Sequence, residues 1–105
     1  MTRNEIVSLN YLDELFVHSN EKPIYIFKHS SRCGISRMAL KQIEQTNKVK
    51  NVELFLIDVL KNREISNALA NKTGIKHESP QLIVIRRKNV IYHGSHSNID
   101  LNNYE

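Results

Sequence analysis

Three runs of consecutive apolar residues constrain this chain more than any other feature: Ile24-Tyr25-Ile26-Phe27, Leu54-Phe55-Leu56-Ile57 and Leu82-Ile83-Val84-Ile85. A strand that is apolar at every position has both of its faces covered, whereas a half-exposed strand alternates. The stretches between the runs change period. Leu12, Leu15 and Phe16 fall at i, i+3 and i+4, with Asn10 as N-cap and Asp13 three residues on, which predicts a helix over about 10–19. Ile35, Met38, Ala39 and Ile43 predict a second helix from near Cys33 to Thr46. Ile65, Ala68 and Leu69 predict a third, capped by Asn62 and ended by Gly74. Strands joined through helices run parallel. Val90 to Tyr92 returns across the polar turn Arg86-Arg87-Lys88-Asn89 as a hairpin, with Asn89 in the left-handed region. A first strand falls at Ile6 and Val7, and Ser97 with Asp100 starts a last short helix carrying Ile99 and Leu101. The order (β)αβαβαββα is that of a small α/β sandwich, a central mixed sheet with helices on both faces.

Composition narrows the function. A chain of 105 residues is expected to form a single domain, 1–105, that buries roughly two-thirds of its unfolded surface. The one cysteine, Cys33, excludes an internal disulfide and a cysteine-built structural zinc site. The net charge of +4 is that of an ordinary solvated surface and also suits an anionic small molecule. There is neither a basic stripe nor an aromatic platform for nucleic acid, and no apolar stretch of about 18 residues for a membrane span. Asn4, Glu5 and Asn10 interrupt the first apolar pieces, so a signal-peptide core is not expected and the reducing cytoplasm is.

In that compartment Cys33 is a free thiol at a strand-to-helix turn, in Phe27-Lys28-His29-Ser30-Ser31-Arg32-Cys33-Gly34-Ile35-Ser36. Free backbone N–H groups and the positive end of a helix favour a thiolate there. Lys28, His29 and Arg32 add positive charge nearby, Ser36 is placed to donate a hydrogen bond to the sulfur, and Gly34 admits a close approach. The competing reading is a buried cysteine packing as a small hydrophobe. Its polar neighbours, and its position ahead of the apolar stripe, favour the reactive one. Ser79-Pro80 precedes the strand Gln81 to Ile85, where proline is tolerated at a first strand position. His93 and His96 stand three apart, but without carboxylate support they do not read as a metal site.

Over nearly all its length the chain resembles the thioredoxin superfamily, by its element order, by Cys33-Gly34-Ile35-Ser36 at the strand-to-helix turn, and by Gly74-Ile75 followed by Ser79-Pro80 ahead of the hairpin. Within it, Lys28-His29-Ser30-Ser31-Arg32-Cys33 and Ser95-His96-Ser97 are similar to segments of the monothiol bacilliredoxins of the bacillithiol system. The resemblance implies a thioredoxin-like three-layer sandwich and a cis Ser79-Pro80 bond, in a loop that binds the incoming thiol compound. It implies removal of bacillithiol from S-bacillithiolated proteins, with the adduct passing to Cys33 as a mixed disulfide, and a part in oxidative stress. Bacillithiol is then a co-substrate and no cofactor is tightly bound. Its carboxylates would meet Lys28, Arg32 and Arg37, and the backbone of Ser79 would pair with it. Ser36 stands where the superfamily's second cysteine would be, so one chain performs only half a redox cycle. A low-molecular-weight thiol or a second redoxin must clear Cys33. The expected partners are bacillithiolated proteins and that thiol, with no nucleic acid or membrane, and the chain is expected to be a monomer.

Three other readings stay open. Cys-Gly-x-Ser is also the spelling of monothiol glutaredoxins, which carry iron–sulfur clusters, although Ile35 stands where they have phenylalanine. Arg32 and Arg37 permit an arsenate-reductase-like enzyme. An adaptor of thioredoxin fold with an inert Cys33 is the third.

Overall fold

The structure is a computed structural model that describes residues 2–30, 32–45, 53–96 and 99. The apolar runs form the middle of a five-stranded sheet: β1 (Thr2–Glu5), β2 (Ile24–His29), β3 (Glu53–Asp58), β4 (Gln81–Arg86) and β5 (Asn89–Ser95), in the order β1-β3-β2-β4-β5. β1, β3 and β2 are parallel, and β4 and β5 continue antiparallel. This is the expected mixed sheet, and the helices α1 (Leu9–His18), α2 (Gly34–Glu44) and α3 (Arg63–Thr73) cover its two faces.

Side chains alternate across the sheet, so each run feeds two cores. Ile24, Ile26, Phe55, Ile57, Ile83 and Ile85 pack with Leu12 and Leu15 of α1 and with Ile65 and Leu69 of α3. Tyr25, Phe27, Leu54, Leu82 and Val84 pack with Ala39, Leu40 and Ile43 of α2 on the other face. Burying one such side chain is worth roughly 1.5–3 kcal/mol, which is why runs without polar interruptions fix the middle of the sheet. The alternation also sends Lys28 toward α3 and His29 toward α2, a division that decides the chemistry of the site.

Three features differ from the sequence reading, each for a local reason. Ser8, not Asn10, caps α1, its Oγ accepting from Tyr11 N–H at 3.1 Å. β1 lies at Thr2–Glu5 instead of Ile6 and Val7; it is an edge strand that pairs only with β3 and tolerates polar residues, while Ile6 turns into the core at its end. The left-handed residues of the hairpin turn are Arg87 (φ 52°) and Lys88 (φ 65°), because Asn89 already pairs with Arg86 in the ladder. Asn62 occupies the N-cap of α3 without a side-chain hydrogen bond, whereas Gly74 ends that helix left-handed (φ 73°) as expected. α2 ends at Glu44 with Gln45 at its C-cap, and the expected helix residue Thr46 lies outside the described residues. Of the expected last helix only Ile99 is described, packed against the α2-side core.

Candidate active site

β2 delivers the site. Its last residue, His29, is followed within four residues by Cys33 at the N-cap of α2, with extended backbone (φ −102°, ψ 122°). Cys33 N–H donates to Ser30 O at 3.1 Å, and Cys33 O accepts Arg37 N–H at 3.1 Å, the first bond of the helix. The thiol is free and partly exposed. Gly34 leaves its flank open: a Cβ placed there would meet nothing nearer than an Arg37 guanidinium nitrogen, at 3.7 Å. That contact also places the Arg37 guanidinium back over the start of α2, beside Gly34.

Ser36 is buried, and its hydroxyl staples β2 to α2. Oγ accepts Ser30 N–H at 3.0 Å and lies 2.7 Å from His29 Nδ1. Burial holds His29 below its ordinary pKa, opposed by Asp58 and assisted by Arg3 and Arg37, so the ring favours its neutral form. Two tautomers then matter. With Nδ1 unprotonated, Ser36 directs its proton to the ring. With the proton on Nδ1, the ring donates and the hydroxyl proton is left for another acceptor. Among the described residues Ser36 Oγ meets Ser30 N–H and His29 Nδ1, so the expected hydrogen bond from Ser36 to the sulfur is not made in this arrangement.

The Ser79-Pro80 bond is cis. Lys28 pairs with Gln81 across the β2–β4 ladder, so the loop after β2 and the loop before β4 leave the sheet at the same end. The Ser95-His96 segment joins them. His96 N–H donates to Pro80 O at 2.9 Å, Ser95 Oγ donates to the Glu78 carboxylate, and His96 shares a groove of about 190 Å³ with Ile35, Met38, Ala39 and Gln42 of α2. Ile35 and Met38 are 62% and 67% exposed, an apolar rim beside the thiol. Ser97 lies outside the described residues.

Lys28 corrects one expectation. It does not face a ligand at the surface; it is fully buried on the α3 face, and its Nζ donates to His77 Nδ1 at 3.2 Å. Arg32 is exposed, and Arg37 lines a groove of about 320 Å³ with His29, Arg3, Leu40, Lys41 and Glu44. Lys41 was missed from sequence, although it follows Arg37 at the i+4 spacing that puts two helix residues on one face. Among the described residues no three His, Cys, Asp or Glu side chains gather as a metal site, and no helix is long and apolar enough to cross a membrane.

A βαβ unit, a terminal hairpin, a cysteine at the start of the second helix and a cis-proline loop at the same sheet end together define a protein of thioredoxin fold. Solved structures agree. One is a thioredoxin-fold protein described as a candidate oxidoreductase (TM-score 0.85, 24% identity, covering 96% of this chain and 88% of that one). Others are the thioredoxins of Trypanosoma brucei brucei (0.72, 15% identity, 92% and 80%) and of Fasciola hepatica (0.70, 18% identity, 90% and 88%). At these identities the likeness is one of fold. The family is given by residues 4–103, which match the monothiol bacilliredoxin BrxC family, and the chain belongs to that family. It is a thiol–disulfide oxidoreductase with a single redox cysteine.

Proposed function

We propose that this chain removes bacillithiol from S-bacillithiolated proteins. The observation that carries the reading is the pairing of a partly exposed Cys33 at a helix start with a buried, hydrogen-bonded Ser36 in place of a resolving thiol. The Cys33 thiolate attacks the bacillithiol sulfur of the target's mixed disulfide. The old S–S bond breaks, the target leaves as a thiolate that takes up a proton, and a new S–S bond joins Cys33 to bacillithiol. No second thiol in the chain can complete an internal disulfide. A small thiol or another redoxin therefore attacks the Cys33 adduct, releases the Cys33 thiolate and carries the bacillithiol away.

The surroundings suit these steps. Ile35 and Met38 offer apolar contact to the target, and Gly34 leaves room for its backbone. Ser79 and Pro80 receive the extended thiol compound in the manner of the superfamily, and Arg32, Arg37 and Lys41 supply cations for its carboxylates. His29 and Ser36 brace the turn that presents the thiol.

The test is a competition. One target protein is prepared bacillithiolated and glutathionylated, and the protein is offered both forms at equal concentration. Faster clearance of the bacillithiolated form supports the reading; equal rates for the two adducts would sink the specificity while leaving a general monothiol reductase.

A further inference from the structure

Among the described residues Lys28 is the only charged side chain that is fully buried. An ammonium taken wholly out of water is strongly disfavoured unless it is compensated. Here the partner provided is not a carboxylate but the imidazole of His77, at 3.2 Å. A ring nitrogen that accepts from a lysine must carry a lone pair, so His77 is neutral with its proton on Nε2. Ser66 of α3 lies 2.9 Å from the same Nδ1 and is its second donor. Two donors, one from β2 and one from α3, thus converge on one atom of a residue two positions before Ser79.

The loop is held elsewhere too. Gln81, just after Pro80, is buried and donates from Nε2 to Lys76 O at 2.9 Å, closing residues 76–81 from within. On the outside, His96 N–H meets Pro80 O, and Ser95 Oγ meets Glu78. Beside the backbone ladder that pairs Lys28 with Gln81, the Lys28–His77–Ser66 junction is a side-chain tie from this loop to β2, the strand that leads into Cys33. A methionine of similar length would fill the same space without the cost of a buried charge.

We propose that Lys28 and His77 are positioning residues that hold the Ser79–Pro80 loop at the height at which it receives the thiol compound, against the strand that presents Cys33. The inference rests on the reading above that this loop binds the substrate. Burial lowers Lys28 to about pKa 8, with Arg63 acting in the same direction, and lowers His77 as well. The charged junction therefore persists through neutral pH and loosens as Lys28 loses its proton. The other charges acting on the pair are Arg63 from α3 and Glu78 beside His77.

Two arms test this. In the first, Lys28→Met is compared with the unaltered chain on a bacillithiolated target. KM is expected to rise about tenfold with a much smaller change in kcat, while Tm at pH 7 holds or rises; a merely structural role would lower Tm and leave KM alone. Ser66→Ala, which removes one donor and keeps Lys28, is expected to raise KM two- to threefold and serves if Lys28→Met does not fold. In the second arm, amide shifts of Lys76 to Ser79 are followed from pH 6.5 to 9.5 in a Cys33→Ser background, so that the thiol does not titrate. They are expected to move with an apparent pKa near 8, and to stop moving when Lys28→Met is added. Unchanged KM in both variants, or loop shifts indifferent to Lys28, would overturn the inference. Failure of the unaltered chain to take up bacillithiol would instead overturn the proposed function, and the amide titration would still decide whether Lys28 holds the loop.

Discussion

Lys28 and His29 are neighbours in the chain and face opposite sides of the sheet, Lys28 bonding His77 under the Ser79–Pro80 loop and His29 bonding Ser36 under the start of α2. One dipeptide thus braces both loops of the site. The two side chains share a physical cause as well: burial pushes each toward its neutral form.

Lys28 gives the protein an alkaline gain in stability. Its folded pKa is about 8 against 10.5 in its ordinary state. Below pH 8 both folded and unfolded chains hold the proton, and the burial cost is fully present. Between about 8 and 10.5 only the unfolded chain holds it, so stability rises with pH, by at most on the order of 3 kcal/mol. Denaturant midpoints at pH 7 and pH 10 should show this rise, and Lys28→Met should lack it.

The histidines act at the acid end. His29 and His77 are both held below their ordinary value of 6.5, chiefly by burial. As pH falls below about 6.5 the unfolded chain takes up these protons first, so stability declines on the acid side. His29→Gln and His77→Gln should each flatten the slope of unfolding free energy between pH 6.5 and 5. A slope unchanged in both variants would show that other groups set the acid limb.

Ser36→Ala removes the acceptor for the part-buried Ser30 N–H and the partner of His29 Nδ1. A cost of about 1–2 kcal/mol is expected, read as a lower urea midpoint. The adduct on Cys33 should still form, more slowly, because the nucleophile is intact and only its mounting is loosened.

The β4–β5 turn can be improved without touching the site. Arg87 and Lys88 are both left-handed, and it is their backbone N–H groups that dock onto Ser19, at 2.6 and 2.9 Å. Arg87→Asn with Lys88→Gly suits that conformation and should raise stability by about 1 kcal/mol. Gly74 gives the converse case. No atom lies within 4 Å of where its Cβ would be, yet its φ of 73° makes Gly74→Ala cost about 1 kcal/mol.

The fold was legible wherever burial alone decides structure. The three apolar runs became β2, β3 and β4, and Cys33 fell at the start of α2, because a strand covered on both faces leaves no polar position to misread. Edges and turns were less legible. β1 pairs on one side only, and the hairpin turn is fixed by docking onto Ser19, far away in sequence, so neither Ile6 nor Asn89 marked its element correctly. The cis bond at Pro80 was legible only through family resemblance. Lys28 was visible as a cation near the cysteine, but its burial depends on His77, a residue 49 positions away. Strand alternation from Phe27 could have shown that Lys28 and His29 diverge; it could not have shown what each one meets.

The central claim is that Cys33 takes bacillithiol from a protein and keeps it until another thiol removes it. The most direct measurement is intact mass after mixing the reduced chain with a stoichiometric amount of an S-bacillithiolated target. The account predicts one added bacillithiol on this chain, mapped to Cys33, an equal amount of free target thiol, and no adduct on Cys33→Ser. A target that keeps its bacillithiol, or an adduct that forms equally on Cys33→Ser, would contradict it.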